Sequence, residues 1–195
     1  MLRINTRYIP IVGVVLALGL FVIAVFQYAG DVHWTRVTAS MLCAKFLPDG
    51  SPNPGRALPI TALFIHCASM ALLFHFLSKD AETRWQRDAI QIGGIGSQVY
   101  SFLTVTPIHN LMVNITLVFT IVAMAAVTRM LHHKHHYRLA IFGVVCLVVT
   151  LSSVSLYYAD AYTELWGVLQ RLNFTLTTAW LFAVLLTVKP KLAEA

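Results

Sequence analysis

Apolar residues in this chain come in long unbroken runs. From Ile9 to Phe26 no side chain carries a charge or a hydrogen-bonding group, and several later stretches are nearly as uniform. An amphipathic soluble helix would show a polar face every three to four residues, and a half-buried strand would alternate; neither pattern holds here. Crossing a hydrocarbon core takes about 20 helical residues. On that measure six spans are predicted, at about 8–28, 57–78, 89–106, 108–130, 138–158 and 165–188. The third is the most diluted, by Gln91, Ser97, Gln98 and Thr104, and Pro107 closes it against the fourth. The expected fold is all-α, one transmembrane domain over residues 1–195 built as a bundle of six helices.

Composition agrees with this pattern. The chain is 58% hydrophobic and 11% charged, with a mean hydropathy of +0.73, well outside the range of soluble domains. Lys and Arg favour short cytoplasmic loops. Arg3, Arg7, Lys79, Arg84, Arg87, Arg129, Lys134, Arg138, Lys189 and Lys191 fall on one side of the six-span topology, ten of the fourteen basic residues. Both termini are therefore expected in the cytoplasm. The net charge of +6 then reads as topology and attraction to anionic lipid, and a nucleic-acid partner is not expected. The run from Ile9 lacks a small-residue cleavage site and is read as an uncleaved span. Cys43, Cys67 and Cys146 form no close motif, so neither a disulfide framework nor CxxC chemistry is implied.

One extracytoplasmic loop, 29–57, has room for structure. It includes an amphipathic stretch around Val37–Phe46 and a dense set of turn formers from Pro48 to Gly55. It is read as a lid over the bundle mouth, with substrate gating as the alternative. Gly93, Gly94, Gly96 and Ser97 make a close-packing face. The tract His132-His133-Lys134-His135-His136 is read as an anchor or anionic-lipid contact, with metal binding or pH sensing as the alternative.

Candidate chemistry concentrates where the last span begins. Arg171 sits inside an apolar run that starts near Trp166, and a cation at that depth must find a partner. Gln170 and Asn173 share one helix face, and Arg171 points nearly opposite to Asn173. His109, Asn110 and Asn114 open the fourth span, His66 lies deeper in the second, and Asp160 and Glu164 occupy the neighbouring turn. These nine residues are the candidate ligand-binding set. Unsatisfied donors are costly in hydrocarbon, so they are expected to face each other or a wet cavity. Two uses stand open. Arg171, balanced by Asp160 or Glu164, binds a lipid head group or amphiphile in an outer-leaflet polar pocket, or else forms structural contacts. Alternatively, His66 and His109 serve an intramembrane enzyme or redox protein. No metal-ligand spacing is present, and no cofactor is predicted.

The turn Gly50-Ser51-Pro52-Asn53-Pro54, the stretch Thr106-Pro107-Ile108-His109-Asn110 and the segment Gly167-Val168-Leu169-Gln170-Arg171-Leu172 together resemble a prokaryotic membrane-protein family of unknown function. That family is similar to the DRAM-like proteins, whose eukaryotic members include factors for GPI-anchor lipid remodelling. The resemblance covers most of the chain. It departs at Ile108, where the family pattern has an acid beside the proline, so proton transfer by His109 is not implied. What the resemblance implies is a lipid-associated protein of a prokaryotic inner membrane. Its expected partners are membrane lipids, with a second copy or another membrane protein as further candidates.

Overall fold

The computed structural model describes residues 6–29, 33–159 and 161–188. Its helices are α1 (Ile9–Phe26), α2 (Ala39–Cys43), α3 (Ala57–Lys79), α4 (Arg84–Leu103), α5 (His109–His133), α6 (Tyr137–Tyr158) and α7 (Trp166–Thr187). Short 3-10 turns, Thr6–Tyr8 and Thr163–Leu165, lead into α1 and α7.

Local chemistry explains several boundaries. Pro10 stands in the first turn of α1, where its missing N–H costs nothing. Thr38 caps α2 by accepting from the Met41 amide at 3.3 Å. Thr83 caps α4 by accepting from the Gln86 amide at 3.2 Å, while Gln86 Oε1 accepts from the Glu82 amide at 3.3 Å. This is close to a capping box. Between α5 and α6 the chain reverses within three residues because His135 takes a left-handed conformation, φ 60°.

Five helical stretches are long and apolar enough to cross a membrane: Thr6–Phe26, Ala57–Lys79, His109–His133, Tyr137–Tyr158 and Thr163–Thr187. This corrects the expectation of six spans. The third predicted span corresponds to α4, which begins at Arg84 and brings Gln86, Arg87, Asp88, Gln91 and Gln98 into the helix. Its buried face consists of Gln86, Ile90, Gly93, Gly94 and Ser97, while Trp85, Ile92 and Val99 are exposed. The assignment of both termini to the cytoplasm depended on counting six crossings and is not retained. What the geometry does place together is the start of α1 and the end of α7, since Arg7 Nη2 lies 3.2 Å from the Val188 carbonyl.

Helices pack in the order α1, α3, α4, α5, α6, α7, and α7 returns to touch α3 only sparsely. One end of the bundle, here the Asp80 end, gathers Arg7, Asp80 and Val188. The opposite end, the Trp34 end, holds the start of α7 against the 33–39 segment, and there the Phe64 and Phe102 rings meet at 5.5 Å. The main core lies toward the Asp80 end, with Leu73, Leu77, Met124, Met130, Trp180 and Leu181 fully buried. Trp180 donates to the Leu139 carbonyl at 2.8 Å, which ties α7 to α6. Val12, Val15, Val118, Val122, Ile141 and Val148 are exposed on the outside of α1, α5 and α6. Such a surface suits lipid contact, as expected of a multi-pass membrane protein.

Glycines set how closely α4 approaches its neighbours. A Cβ on Gly94 would overlap the Phe74 ring and Phe74 Cβ, and one on Gly93 would come within 3.0 Å of the Ala123 backbone. Gly94→Ala should therefore lower stability by about 1–3 kcal/mol, the usual cost of overpacking. Gly19→Ala, where nothing lies within 4 Å, should be neutral or slightly stabilising. Thermal unfolding of both variants in one detergent checks the contrast, and equal melting temperatures would disprove it.

Candidate functional site

The start of α7 is built to hold a strap of chain, residues 33–39. Gly167 lets the strap approach, because a Cβ there would meet the carbonyl oxygens of Val37 at 2.5 Å and Thr35 at 2.6 Å. The Val168 amide donates to the Thr35 carbonyl at 3.2 Å. One residue pair further on, Gln170 Oε1 accepts from the Ala39 amide at 2.8 Å. Arg171 completes the clamp: Nη1 donates to the Val37 carbonyl at 3.0 Å and Nη2 to the Trp34 carbonyl at 2.8 Å. Its guanidinium also lies 5.2 Å from the centroid of the Trp34 ring. The planar fork therefore does what a half-buried cation requires, with backbone carbonyls and an aromatic face as partners.

Glu164 is placed opposite Arg36, with which it forms an ion pair, and not opposite Arg171. Both partners are substantially exposed, so the pair adds little, on the order of 0–1 kcal/mol. Asp160 lies outside the described residues.

The remaining predicted residues form separate links between helices. On α5, Asn110 Oδ1 accepts from the Tyr157 hydroxyl at 3.4 Å and Asn114 Oδ1 from the Tyr158 hydroxyl at 2.6 Å. Asn173 Oδ1 lies 2.8 Å from the Thr150 hydroxyl, tying α7 to α6. His109 Nδ1 lies 2.7 Å from the Thr104 carbonyl. A carbonyl only accepts, so the neutral ring carries its proton on Nδ1 and presents Nε2 as an acceptor. His66 packs against the Phe174 ring at 6.2 Å. His109 is the first residue of α5 and His66 the tenth of α3, a difference in depth of about 14 Å at 1.5 Å per residue. That separation does not suit joint ligation of one group. Among the described residues, no group of three or more His, Cys, Asp or Glu could hold a metal.

Sequence reasoning missed the partners of Arg171, because they are backbone carbonyls more than 130 positions away. It also missed Asp80. That carboxylate, 1% exposed, is paired with Arg7 at 2.8 Å. Two depressions stand out at the same end. One, of about 770 Å³, lies between α5 and α6; the other, of about 490 Å³, is bordered by Glu82, Lys134 and His136. The α2 segment lies over α3, with Cys43, Leu63 and Cys67 in one buried cluster. Burial pushes the Cys43 thiol up to about 11, against the pull of Arg56. A thiol of that kind is a packing residue more than a nucleophile.

A family model described as a protein of unknown function, DUF998, matches residues 11–187. The chain belongs to this family. No curated protein and no solved structure matches it. The DUF998 match takes in the strap, the clamp of Gly167, Gln170 and Arg171, the Asn and Tyr links and Asp80, while Arg7 precedes it. Together with the long apolar helices, it describes an all-helical, multi-pass membrane protein whose family has no assigned reaction.

Proposed function

We propose that this protein is a lipid-binding membrane protein whose Trp34 end holds a lipid head group along α5 and α6. The observation that carries the reading is the pair of exposed contacts Asn110 with Tyr157 and Asn114 with Tyr158, one helical turn apart beside His109 Nε2. Amide, phenol and imidazole groups at an apolar surface offer hydrogen bonds without fixed charge. They suit a hydroxyl- or amine-bearing head group whose chains lie against the exposed Leu111 and Val118. In this reading Arg171 and Gln170 position the strap beside the rim, and Asn173 holds α7 to α6. The kinship with DRAM-like lipid-remodelling proteins and a place in a prokaryotic inner membrane belong to the same proposal.

The test is lipid retention. Protein released in mild detergent should carry a lipid identifiable by native mass spectrometry. The double variant Asn114→Leu, Tyr158→Phe should lower its retention about tenfold, since each net hydrogen bond contributes about 0.5–1.5 kcal/mol. Retention equal to wild type would refute the reading. His66→Ala, with its residue about 14 Å deeper in the bundle, should leave retention unchanged.

A further inference from the structure

The depression between α5 and α6, about 770 Å³ in volume, is polarised along its length. Its mouth, beside the turn that joins the two helices, is bordered by Arg129, His132, His133 and Tyr137. Deeper in, Ala125, Val144 and Leu147 line it, and nothing charged does. From Tyr137 to Leu147 the groove follows ten residues of helix, about 15 Å. Ile141 and Val144 on its wall are 65% and 50% exposed, so the groove opens sideways on the lipid-facing surface of the bundle.

Electrostatics at the mouth favour an anion. The C-terminus of α5 and the N-terminus of α6 meet there, and their opposed dipoles offset one another. The local field therefore comes from the side chains. Arg129 is exposed and lies 5.7 Å over the Trp85 ring, which holds it beside the mouth. The acids at this end are engaged elsewhere: Asp80 is paired with Arg7, Glu82 borders the adjacent depression, and Asp88 lies 3.9 Å from Arg84 on its own helix. Thr128 also borders the groove, with its hydroxyl oxygen buried beside Gly143.

We propose that this groove is a binding site for one anionic phospholipid, with its phosphate between Arg129 and His132 and one acyl chain along Ala125, Val144 and Leu147. The site lies at the Asp80 end, opposite the rim at Asn114 and Tyr158, and it does not depend on that reading.

The experiment is native mass spectrometry of the full-length protein, titrated with phosphatidylglycerol or phosphatidylcholine of identical chains. Wild type should retain phosphatidylglycerol about tenfold better, and excess inorganic phosphate should not displace it. Arg129→Gln with His132→Gln should reduce phosphatidylglycerol retention to the phosphatidylcholine level. Ala125→Phe, at an exposed position in the trough, should block both lipids without lowering the melting temperature of the lipid-free protein. The Asn114→Leu, Tyr158→Phe variant should keep the full preference, which separates failure at one end from failure at the other. Equal retention of the two lipids by wild type would overturn the proposal, as would a preference that survives Ala125→Phe. A lipid-free dimer dissociated by Ala125→Phe would also overturn it, by giving the groove to a second copy of the chain.

Discussion

Replacing Arg7 with alanine should destabilise the protein by about 3–5 kcal/mol, the cost of leaving a buried charge without its partner. Asp80 is 1% exposed and its Oδ2 lies 2.8 Å from Arg7 Nη2, which also approaches the Leu185 and Val188 carbonyls at 3.4 and 3.2 Å. Asp80 is the C-cap residue of α3, its backbone N–H donating to the Leu77 carbonyl, and the helix dipole disfavours its negative charge there. Burial raises its pKa, and Arg7 and Lys134 pull it back without cancelling the rise. The folded protein therefore keeps the Asp80 proton to a higher pH than the unfolded chain. Its stability contribution is present in full below the ordinary carboxylate value and declines as pH rises through the folded one. Arg7→Ala removes a downward pull, so the decline should move to higher pH. Asp80→Asn should remove this pH dependence and cost much less than Arg7→Ala, and the double variant should recover most of the loss. Chemical denaturation of the four proteins at several pH values checks all of this. A double variant whose loss equals the sum of the two single losses would show that the pair is not coupled.

Arg171→Lys should release the strap while the helices stay folded. Lysine keeps the charge but cannot direct two parallel N–H groups at the Trp34 and Val37 carbonyls while stacking on the indole. Hydrogen bonds from a charged donor contribute about 1.5–3 kcal/mol and the cation–π contact about 0.5–1 kcal/mol. A loss of about 2–3 kcal/mol confined to residues 33–39 is expected. Gly167→Ala should act in the same direction, since its methyl group would overlap the Val37 and Thr35 carbonyls. Hydrogen exchange would show faster exchange at Ala39 and Val168, whose amides are bonded across this contact, and unchanged protection around Trp180. Uniform protection in Arg171→Lys would mean that the clamp adds nothing.

Five of the predicted spans were legible because hydrocarbon demands length and apolarity together, and the sequence satisfies both at α1, α3, α5, α6 and, most narrowly, α7. The α4 region misled for a physical reason. Read from residue 89 it lacks Arg84, Gln86, Arg87 and Asp88, the polar first turns that the helix includes. The Thr83 and Gln86 spacing was the local signal for an earlier start, at Arg84. Arg171 was expected to need partners and has the Val37 and Trp34 carbonyls and the Trp34 ring, yet the identity of those partners was not legible. Backbone carbonyls leave no mark in a list of side chains. Asp80 was passed over because its significance rests on a contact 73 positions away, and nothing near it in sequence announces burial.

The order of packing leaves one seam, where α7 returns to α3 with few contacts. An arginine fastens each extremity of that seam: Arg7 joins the α7 terminus to α3, and Arg171 joins the α7 start to the strap ahead of α3. Under mechanical load the structure should therefore behave like a zipper with two end stops. With both stops cut, the α6–α7 hairpin, braced internally by Trp180 and Asn173, would be held mainly by its packing on α5, while α3, α4 and α5 stay locked together by the glycine contacts.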